Sequence, residues 1–235
     1  MELAFRDDAY ARSCAAEVVS ADAEAGIRLS RSVFYPMGGG QPGDTGRLRW
    51  SGGETAIADT RKSEDGRGCL LIPADGAALP RPGDTVTAEL DWDRRHRLMR
   101  MHTALHLLCS LVDGPVTGGQ IGAEKSRLDF ALAGESVDKD ALERELNALI
   151  QGGHEVTADW ISSADLAASP QLVRTMSVKP PMDGGQVRTI RIGDVDYQPC
   201  GGTHVANTRE IGAVRVGKVE SKGKQNRRIN LHLAD

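Results

Sequence analysis

One stretch of the chain repeats apolar residues every three or four positions and contains no glycine or proline. It runs from Arg94 to Val112 and is rich in Leu, Met and Ala, which favour helices. The repeating apolar positions are Leu98, Met101, Leu105, Leu108 and Val112. The pattern predicts a helix over Arg94–Val112 with one apolar face.

Before this helix the apolar residues come in short runs, separated by Gly, Pro and Asp. Such runs at this spacing predict a small antiparallel β-barrel. The predicted strands are Glu17–Ser20, Ile27–Phe34, Arg47–Trp50, Cys69–Ile72 and Thr85–Trp92.

After the helix, some segments repeat apolar residues every three or four positions, as a helix does, and others alternate apolar and polar residues, as a strand does. Together they predict helices packed on an antiparallel sheet. Asp113–Gly122 is rich in glycine and predicts a turn. Helices are predicted over Asp138–Ile150 and Ser162–Ala168. The predicted strands are Arg127–Leu132, Glu155–Ile161, Val187–Tyr197, Ile211–Val219 and Arg228–Leu233. The predicted fold class is α+β, with a barrel domain over residues 1–92 and a second domain over 93–235.

The composition is that of a soluble globular protein, with 40% apolar and 26% charged residues. The net charge of −4 means that any nucleic acid must bind to local basic patches. No apolar run approaches the roughly 18 residues that a membrane span requires. The chain starts without a signal-peptide pattern, and its four Cys are scattered. We therefore expect a cytoplasmic protein with no membrane partner.

Two pairs of residues suggest a metal site. His102 and His106 are four apart in the predicted helix, so their rings point the same way. Cys200 and His204 follow a predicted strand in the sequence Cys-Gly-Gly-Thr-His. Either pair alone is weak evidence for a metal site, because such histidines are more often buried and hydrogen-bonded than bound to metal. Together they form the tetrahedral set that zinc prefers, and we predict one Zn²⁺ held by all four residues.

A site with four protein ligands is compatible with a purely structural zinc. Small polar residues flank the motifs, however, and these suit a polar pocket better than a packed core. They include Thr103, Gln120 and Thr203. No glutamate lies inside the His pair, so the helix is not that of a zinc metalloprotease.

The segment Phe34–Gly46 contains three consecutive glycines, Gly38, Gly39 and Gly40. One interpretation is a long turn between strands. The other is a loop whose bare backbone approaches a ligand, with Gln41 as the polar side chain at its tip. The spacing matches neither the Rossmann nor the P-loop pattern.

Two clusters of cations are candidates for phosphate contact. One is at the start of the predicted helix, where positive charge opposes the helix dipole. The other lies in a polar stretch that suggests a β-turn. The residues proposed to contact nucleic acid are Arg94, Arg95, Lys222, Lys224, Arg227 and Arg228. A solvated face, or pairing of the first cluster with Asp91 and Asp93, is an equally good explanation.

The two zinc motifs, His102-Thr-Ala-Leu-His106-Leu-Leu and Cys200-Gly-Gly-Thr-His204, resemble the editing domain of alanyl-tRNA synthetase and its freestanding AlaX relatives. The segment Phe34–Gly46 resembles the glycine-rich motif of their barrel domain, and Arg127–Phe130 and Ser221–Arg228 also fit. The resemblance covers about residues 30–230. Editing domains of threonyl-tRNA synthetase share the fold and the His pair, but the Cys motif and the glycine segment favour the alanine branch.

This resemblance implies a small antiparallel β-barrel followed by an α+β editing domain of the threonyl/alanyl-tRNA synthetase second additional domain type. It implies the medium-length AlaX form, since neither an aminoacylation domain nor a long C-terminal extension is present. The implied enzyme is a trans-editing hydrolase that deacylates mischarged seryl-tRNA, or glycyl-tRNA, for alanine and spares alanyl-tRNA. Separately from the resemblance, we expect a monomer. Its candidate catalytic residues are Thr103, Gln120 and Thr203, and its candidate substrate-binding residues are Gly38, Gly39, Gly40 and Gln41.

Two alternatives stay open on the residues alone. One is a zinc-dependent hydrolase of another ester or amide, against which salt-sensitive tRNA binding would argue. The other is an RNA-binding module with a structural zinc, which would unfold when the metal is chelated.

Overall fold

The computed structural model describes residues 1–66, 68–132, 137–175, 182–223 and 225–234, the side chain of Asp183 excepted. The chain divides into two units, Met1–His96 and Arg97–Asp235. The predicted domain boundary after residue 92 stays a prediction, because a packing unit is not by itself a folding domain. Among the described helices, none is long and apolar enough to cross a bilayer.

The first unit is built on a closed barrel of antiparallel strands. Two short strands, β1 (Glu2–Leu3) and β4 (Arg31–Ser32), pair in parallel beside a 3₁₀ turn at Ala4–Arg6. The barrel strands are β2 (Ser13–Asp22), β3 (Gly26–Leu29), β5 (Gly46–Trp50), β6 (Gly53–Lys62), β7 (Cys69–Pro73) and β8 (Thr85–Leu90). Their order around the barrel is β2-β3-β7-β6-β5-β8. The predicted antiparallel barrel is confirmed.

Alternate residues of these strands point into the barrel and form its core. The largest apolar side chains there are fully buried, which stabilises the unit by roughly 1.5–3 kcal/mol for each. They are Ile27, Leu29, Phe34, Leu48, Ile57 and Leu71.

Strand β6 was missing from the predicted set, and its inward positions explain why. Thr55, Ile57 and Thr60 are its buried residues, so only one of the three is apolar. The pairing of β6 with β7 also shifts register between Ile57 and Asp59. A polar interior and a broken period together remove the alternation by which a strand is predicted.

The three consecutive glycines form a tight turn. The amide of Gln41 donates to the carbonyl of Gly38, and the amide of Gly38 donates back to the carbonyl of Gln41. Between them, Gly39 and Gly40 have φ of 58° and 83°, as a type I′ turn requires. A Cβ at either position would meet nothing within 4 Å, so the conformation and not crowding demands glycine here. Gln41 itself is fully buried and does not project from the tip.

A buried ion pair anchors the end of the same segment. Arg95 and Asp44 are both essentially inaccessible, and Arg95 Nε lies 3.0 Å from each carboxylate oxygen. Arg95 also donates to the carbonyls of Val33 and Ala9, and Asp44 accepts from the amide of Tyr35 at 2.6 Å. The pair thus joins three separate stretches of the first unit.

The second unit packs helices against two antiparallel sheets. One sheet has the order β15-β16-β10-β9, and in the other β13 pairs with β11, β12 and β14. The strands are β9 (Val116–Gln120), β10 (Lys125–Ala131), β11 (Val156–Ser162), β12 (Met182–Asp183), β13 (Gln186–Ile192), β14 (Asp196–Pro199), β15 (Val214–Ser221) and β16 (Asn226–Leu233). The helices are α1 (Trp92–Leu111), α2 (Lys139–Gly152) and α3 (Ser163–Ala168), with 3₁₀ turns at Pro170–Leu172 and Thr208–Ile211.

Helix ends follow ordinary capping chemistry. The Asp91 side chain accepts from the amide of Arg94, and Asp138 accepts from the first amides of α2. The Ser162 side chain accepts from the amide of Asp165 and caps α3. Helix α1 begins two residues before the predicted start, and its five predicted apolar positions are all buried. Every residue from Met101 to Cys109 is buried, so the prediction of a single apolar face was too narrow.

Two predictions in the second unit were wrong. The predicted turn at Asp113–Gly122 contains strand β9, whose glycines suit close packing: a Cβ at Gly119 would lie 2.8 Å from Leu128 Cδ2. The predicted strand Val187–Tyr197 is a hairpin, because Gly193 turns the chain with φ of 47° between β13 and β14.

We expect Asp44→Asn to destabilise the protein by about 3 kcal/mol or more, because it leaves the Arg95 guanidinium buried without its counter-charge. Urea unfolding followed by circular dichroism measures this. The matched control is Glu54→Gln, which removes a carboxylate charge from an ion pair with Arg49 whose side chains are 49% and 46% exposed. The control should leave the midpoint almost unchanged. Equal effects of the two substitutions would contradict the role given to Asp44.

Candidate metal centre

Helix α1 supplies two of the four predicted ligands. His102 and His106 lie one turn apart and are both buried, and their ring centroids are 5.3 Å apart. The side chains around them on the same helix are buried too, so neither ring can swing away without opening the core.

The chain after β14 supplies the other two ligands. Cys200 leads a short loop that returns to His204, and the Gly202 amide points at Cys200 Sγ at 3.4 Å. Arg188 on β13 is buried and donates from Nη1 to the carbonyls of Cys200 and Gly202, both at 2.9 Å. The guanidinium therefore holds the loop in place.

The four donor atoms converge on one point, within 4.8 Å of one another. Cys200 Sγ lies 3.5 Å from His102 Nε2 and 3.2 Å from His204 Nε2. Tetrahedral zinc, with bonds of about 2.0–2.3 Å, holds neighbouring ligand atoms roughly 3.3–3.6 Å apart. The cluster could therefore hold a metal ion, and its donor set and spacing are compatible with zinc.

Two of the histidines have protein partners on their other ring nitrogen. His106 Nδ1 lies 2.8 Å from Asp196 Oδ2, and Gln198 Nε2 donates to the same oxygen at 2.9 Å. His204 Nδ1 lies 3.2 Å from Thr103 Oγ1. All these residues are buried. Sequence reasoning did not single out Asp196, although Asp196 and Gln198 alternate along β14 and so share a face, and Cys200 follows directly after the strand.

The electrostatics of the cluster favour a thiolate beside neutral and cationic imidazoles. Burial by itself raises the pKa of a thiol, but the imidazoles of His102 and His204 outweigh it and hold the pKa of Cys200 well below its usual value. Burial, with His102 alongside, holds the pKa of His204 well below its usual value. Burial acts the same way on His106, but its hydrogen bonds with Asp196 and Cys200 dominate and raise its pKa to about 10. Asp196 thus stabilises positive charge at this position.

The structure places the other candidate residues in different surroundings. Thr203 is fully buried in the loop between Cys200 and His204. Gln120 is exposed on β9, where its amide oxygen accepts from Arg127 Nε at 3.3 Å. Gln41 and the glycines Gly38–Gly40 belong to the barrel unit.

The candidate nucleic-acid-binding residues differ in how far they are exposed and in what they already bind. Arg95 is buried with Asp44, so the expectation that it contacts phosphate is corrected: its charge is already matched inside the protein. Arg94 is half-buried and donates to the carbonyl of Gly43 at 2.8 Å. Arg228 makes a bidentate pair with Asp129, at 2.7 and 2.8 Å.

The exposed candidate is Lys222, next to the turn between β15 and β16, where it pairs with Glu220 at 2.8 Å. Arg227 is half-buried at the start of β16, and its Nη1 donates to Ser221 Oγ. Lys224 lies outside the described residues.

Two family models match the chain. Residues 187–230, which include Cys200 and His204, match the threonyl and alanyl tRNA synthetase second additional domain. Residues 9–94, which include the barrel, match the class II (A) tRNA synthetases.

Similar whole proteins extend the match across both pairs of candidate ligands. The alanyl-tRNA editing protein AlaX-M of Methanosarcina acetivorans is 35% identical over 239 residues, which cover 97% of each chain. The chain belongs to the AlaX-M family of alanyl-tRNA editing proteins. The AlaX-M protein of Saccharolobus solfataricus is 31% identical over 94% of each chain. The alanine–tRNA ligase of Pyrobaculum arsenaticum is 31% identical over 92% of this chain but only 25% of the ligase.

Membership of the AlaX-M family confirms the resemblance inferred from the two zinc motifs and the glycine segment. It also confirms the predicted enzyme class, an aminoacyl-tRNA hydrolase that edits mischarged tRNA. The second additional domain type predicted for the C-terminal part is confirmed by the match over residues 187–230.

We expect Arg188→Met to loosen the loop that carries Cys200, because the loop carbonyls lose a charged donor whose bonds contribute about 1.5–3 kcal/mol each. Hydrogen–deuterium exchange of a peptide spanning residues 200–206 should become about tenfold faster or more. Arg191→Met is the control, since Arg191 lies on the same strand but is exposed over the Tyr197 ring. Unchanged exchange in the Arg188 variant would show that the loop is held by other contacts.

Proposed function

We propose that the protein deacylates mischarged seryl-tRNA for alanine and spares alanyl-tRNA, with glycyl-tRNA as a second substrate. Water adds to the ester carbonyl, the bond to the ribose oxygen breaks, and that oxygen leaves with a proton. The products are free serine and tRNA with an intact 3′ end. We also propose that the protein works as a monomer in the cytoplasm.

The observation that carries this proposal is the cluster of three buried histidines, His102, His106 and His204, with the half-buried Cys200 in a chain of the AlaX-M family. An aminoacyl ester is already activated towards water. The site therefore gains most from fixing the geometry of ester and water, and needs no strong nucleophile of its own.

We propose that this cluster binds one Zn²⁺, as its donor chemistry favours. When bound, the ion would supply a Lewis acid, which can accept the lone pair of the neutral substrate amino group or polarise a water. The chain's own contribution is to hold the four donors in place and to keep them buried. Thr103 and Thr203 each stand next to a proposed ligand in the sequence, and they stay candidates for a part in catalysis.

Selection of serine over alanine requires groups that hydrogen-bond the seryl hydroxyl. Buried hydroxyls or amides would be left without partners when alanine is bound, which is a strong basis for discrimination. The candidates for this contact in the second unit are Thr203, which stands beside His204, and Gln120, which is exposed on β9.

Binding of tRNA requires local cations, because the whole chain carries a net charge of −4. We propose that the turn between β15 and β16 contacts phosphate through Lys222, whose side chain is 42% exposed. Its pairing with Glu220 is solvated and would exchange readily for a phosphate oxygen.

The deacylation test compares seryl-, glycyl- and alanyl-tRNA for alanine, each with and without a chelator. We expect rapid release of serine, slower release of glycine and little release of alanine. Chelation should abolish release while circular dichroism shows that the fold persists. Restoration by added Zn²⁺ would support the metal's part. Release from none of the three tRNAs would overturn the proposed substrate, and unfolding on chelation would favour a structural metal.

We expect Lys222→Ala to weaken tRNA binding several-fold and to reduce the slope of log affinity against log salt by about 1, as the loss of one phosphate contact does. Filter binding over a range of salt concentrations measures both. Lys139→Ala is the control, because Lys139 is an exposed lysine of the same unit at the start of α2. Identical slopes for the two variants would remove Lys222 from the interface.

A further inference from the structure

Two histidines of the cluster depend on the hydrogen bonds of their outer ring nitrogens. A neutral imidazole carries one proton and one lone pair, so a ring that ligates through Nε2 must keep its proton on Nδ1. A hydrogen-bond acceptor beside Nδ1 keeps the proton there, and the Nε2 lone pair is then free to bind metal.

Thr103 determines the proton position on His204. The Thr103 hydroxyl has one proton, and it donates that proton to the carbonyl of Met99 at 2.9 Å. Its oxygen also accepts from the amide of Val205 at 3.3 Å. Towards His204 Nδ1, at 3.2 Å, Thr103 can then only accept. His204 must donate from Nδ1, and its Nε2 lone pair faces Cys200 Sγ and the rest of the cluster.

Asp196 plays the same part for His106 with a stronger acceptor. A carboxylate accepts and cannot donate, so the 2.8 Å contact with Asp196 Oδ2 places a proton on His106 Nδ1. Gln198 donates to the same oxygen and fixes its position. The carboxylate is buried, so its charge acts in a medium that screens it weakly.

We infer that Asp196 and Thr103 are positioning residues, which hold His106 and His204 with Nδ1 protonated so that both Nε2 atoms face the metal. This inference rests on the proposed zinc site and deepens it. It gives Thr103 a role through His204, because the hydroxyl already makes all of its hydrogen bonds within the protein. Partners of this kind typically change metal affinity by about 10–100-fold when they are removed.

The test measures Zn²⁺ affinity of the full chain by competition with a chromophoric chelator. Asp196→Ala and Thr103→Val should each weaken binding by about 10–100-fold. Thr103→Ser keeps the hydroxyl and should restore near-normal affinity, and Asp196→Asn, which keeps an acceptor oxygen without the charge, should be intermediate. Asp194→Ala is the control, since Asp194 is an exposed carboxylate in the turn before β14. It should bind as tightly as the unaltered protein.

A second readout needs no substitution. Nitrogen-15 NMR of the metal-free protein distinguishes the two tautomers of a neutral imidazole, and we expect His204 to carry its proton on Nδ1. Thr103→Val should shift this ring towards a mixture of tautomers, and Thr103→Ser should not.

The zinc site and the positioning roles of Asp196 and Thr103 fail in different experimental outcomes. If the unaltered protein fails to bind Zn²⁺ tightly, the proposed zinc site is wrong. If it binds tightly while Asp196→Ala and Thr103→Val bind equally well, the zinc site stands and the positioning roles are overturned. A His204 ring protonated on Nε2 in the unaltered protein would overturn the role of Thr103 even where a variant does not fold.

Discussion

Convergence of three imidazoles and one thiol on a single buried point is the constraint on which the second unit depends. Burying a polar group without a hydrogen-bond partner costs free energy, and burying an unpaired charge costs more. Here the partners are arranged in layers: the donors face one another, Asp196 and Thr103 occupy outer ring nitrogens, and Arg188 holds the loop carbonyls. A change at any layer leaves a buried polar group without its match, so the layers stabilise one another.

Elements with a regular apolar period could be predicted from the sequence. Helix α2 and most barrel strands follow their predicted ranges because burial of one face sets the period. Helix α1 was also predicted, because its repeating apolar positions are all buried. The elements that failed lack that signal. Strand β6 turns two threonines inward, and β9 carries Gly118 and Gly119 where a strand usually carries β-branched residues.

The candidate ligands could be found because ligand chemistry restricts the residue type at each position. Residues that support the ligands are less restricted, so Asp196 and Arg188 left no comparable signal. Arg95 shows the opposite error. A cluster of arginines at a helix start suggested phosphate contact, yet Arg95 is buried with Asp44, 51 positions away in the chain. Sequence spacing does not reveal a partner at that separation.

The glycine segment shows how one residue type serves two physical demands. Gly39 and Gly40 are required by the positive φ of a type I′ turn, with open space beside them. Gly43 is required by crowding, because a Cβ there would lie 2.1 Å from the carbonyl oxygen of Thr60. The sequence alone left a turn and a close approach as alternatives. The turn occurs, and at Gly43 the bare backbone lies against the protein's own β6. The approach of the three consecutive glycines to a ligand stays a prediction.

The two halves of the metal centre differ in how far they can adapt. Helix α1 is buried at every position from Met101 to Cys109, so moving His102 or His106 would displace the core around the whole turn. The Cys200–His204 loop is buried from Gly202 to His204, but it begins at the half-buried Cys200 and Gly201, and hydrogen bonds from Arg188 hold two of its carbonyls. The half-buried end of the loop can therefore shift at a smaller cost in stability than the helix can. A shift there would move the thiol of Cys200, while the helix keeps His102 and His106 in place.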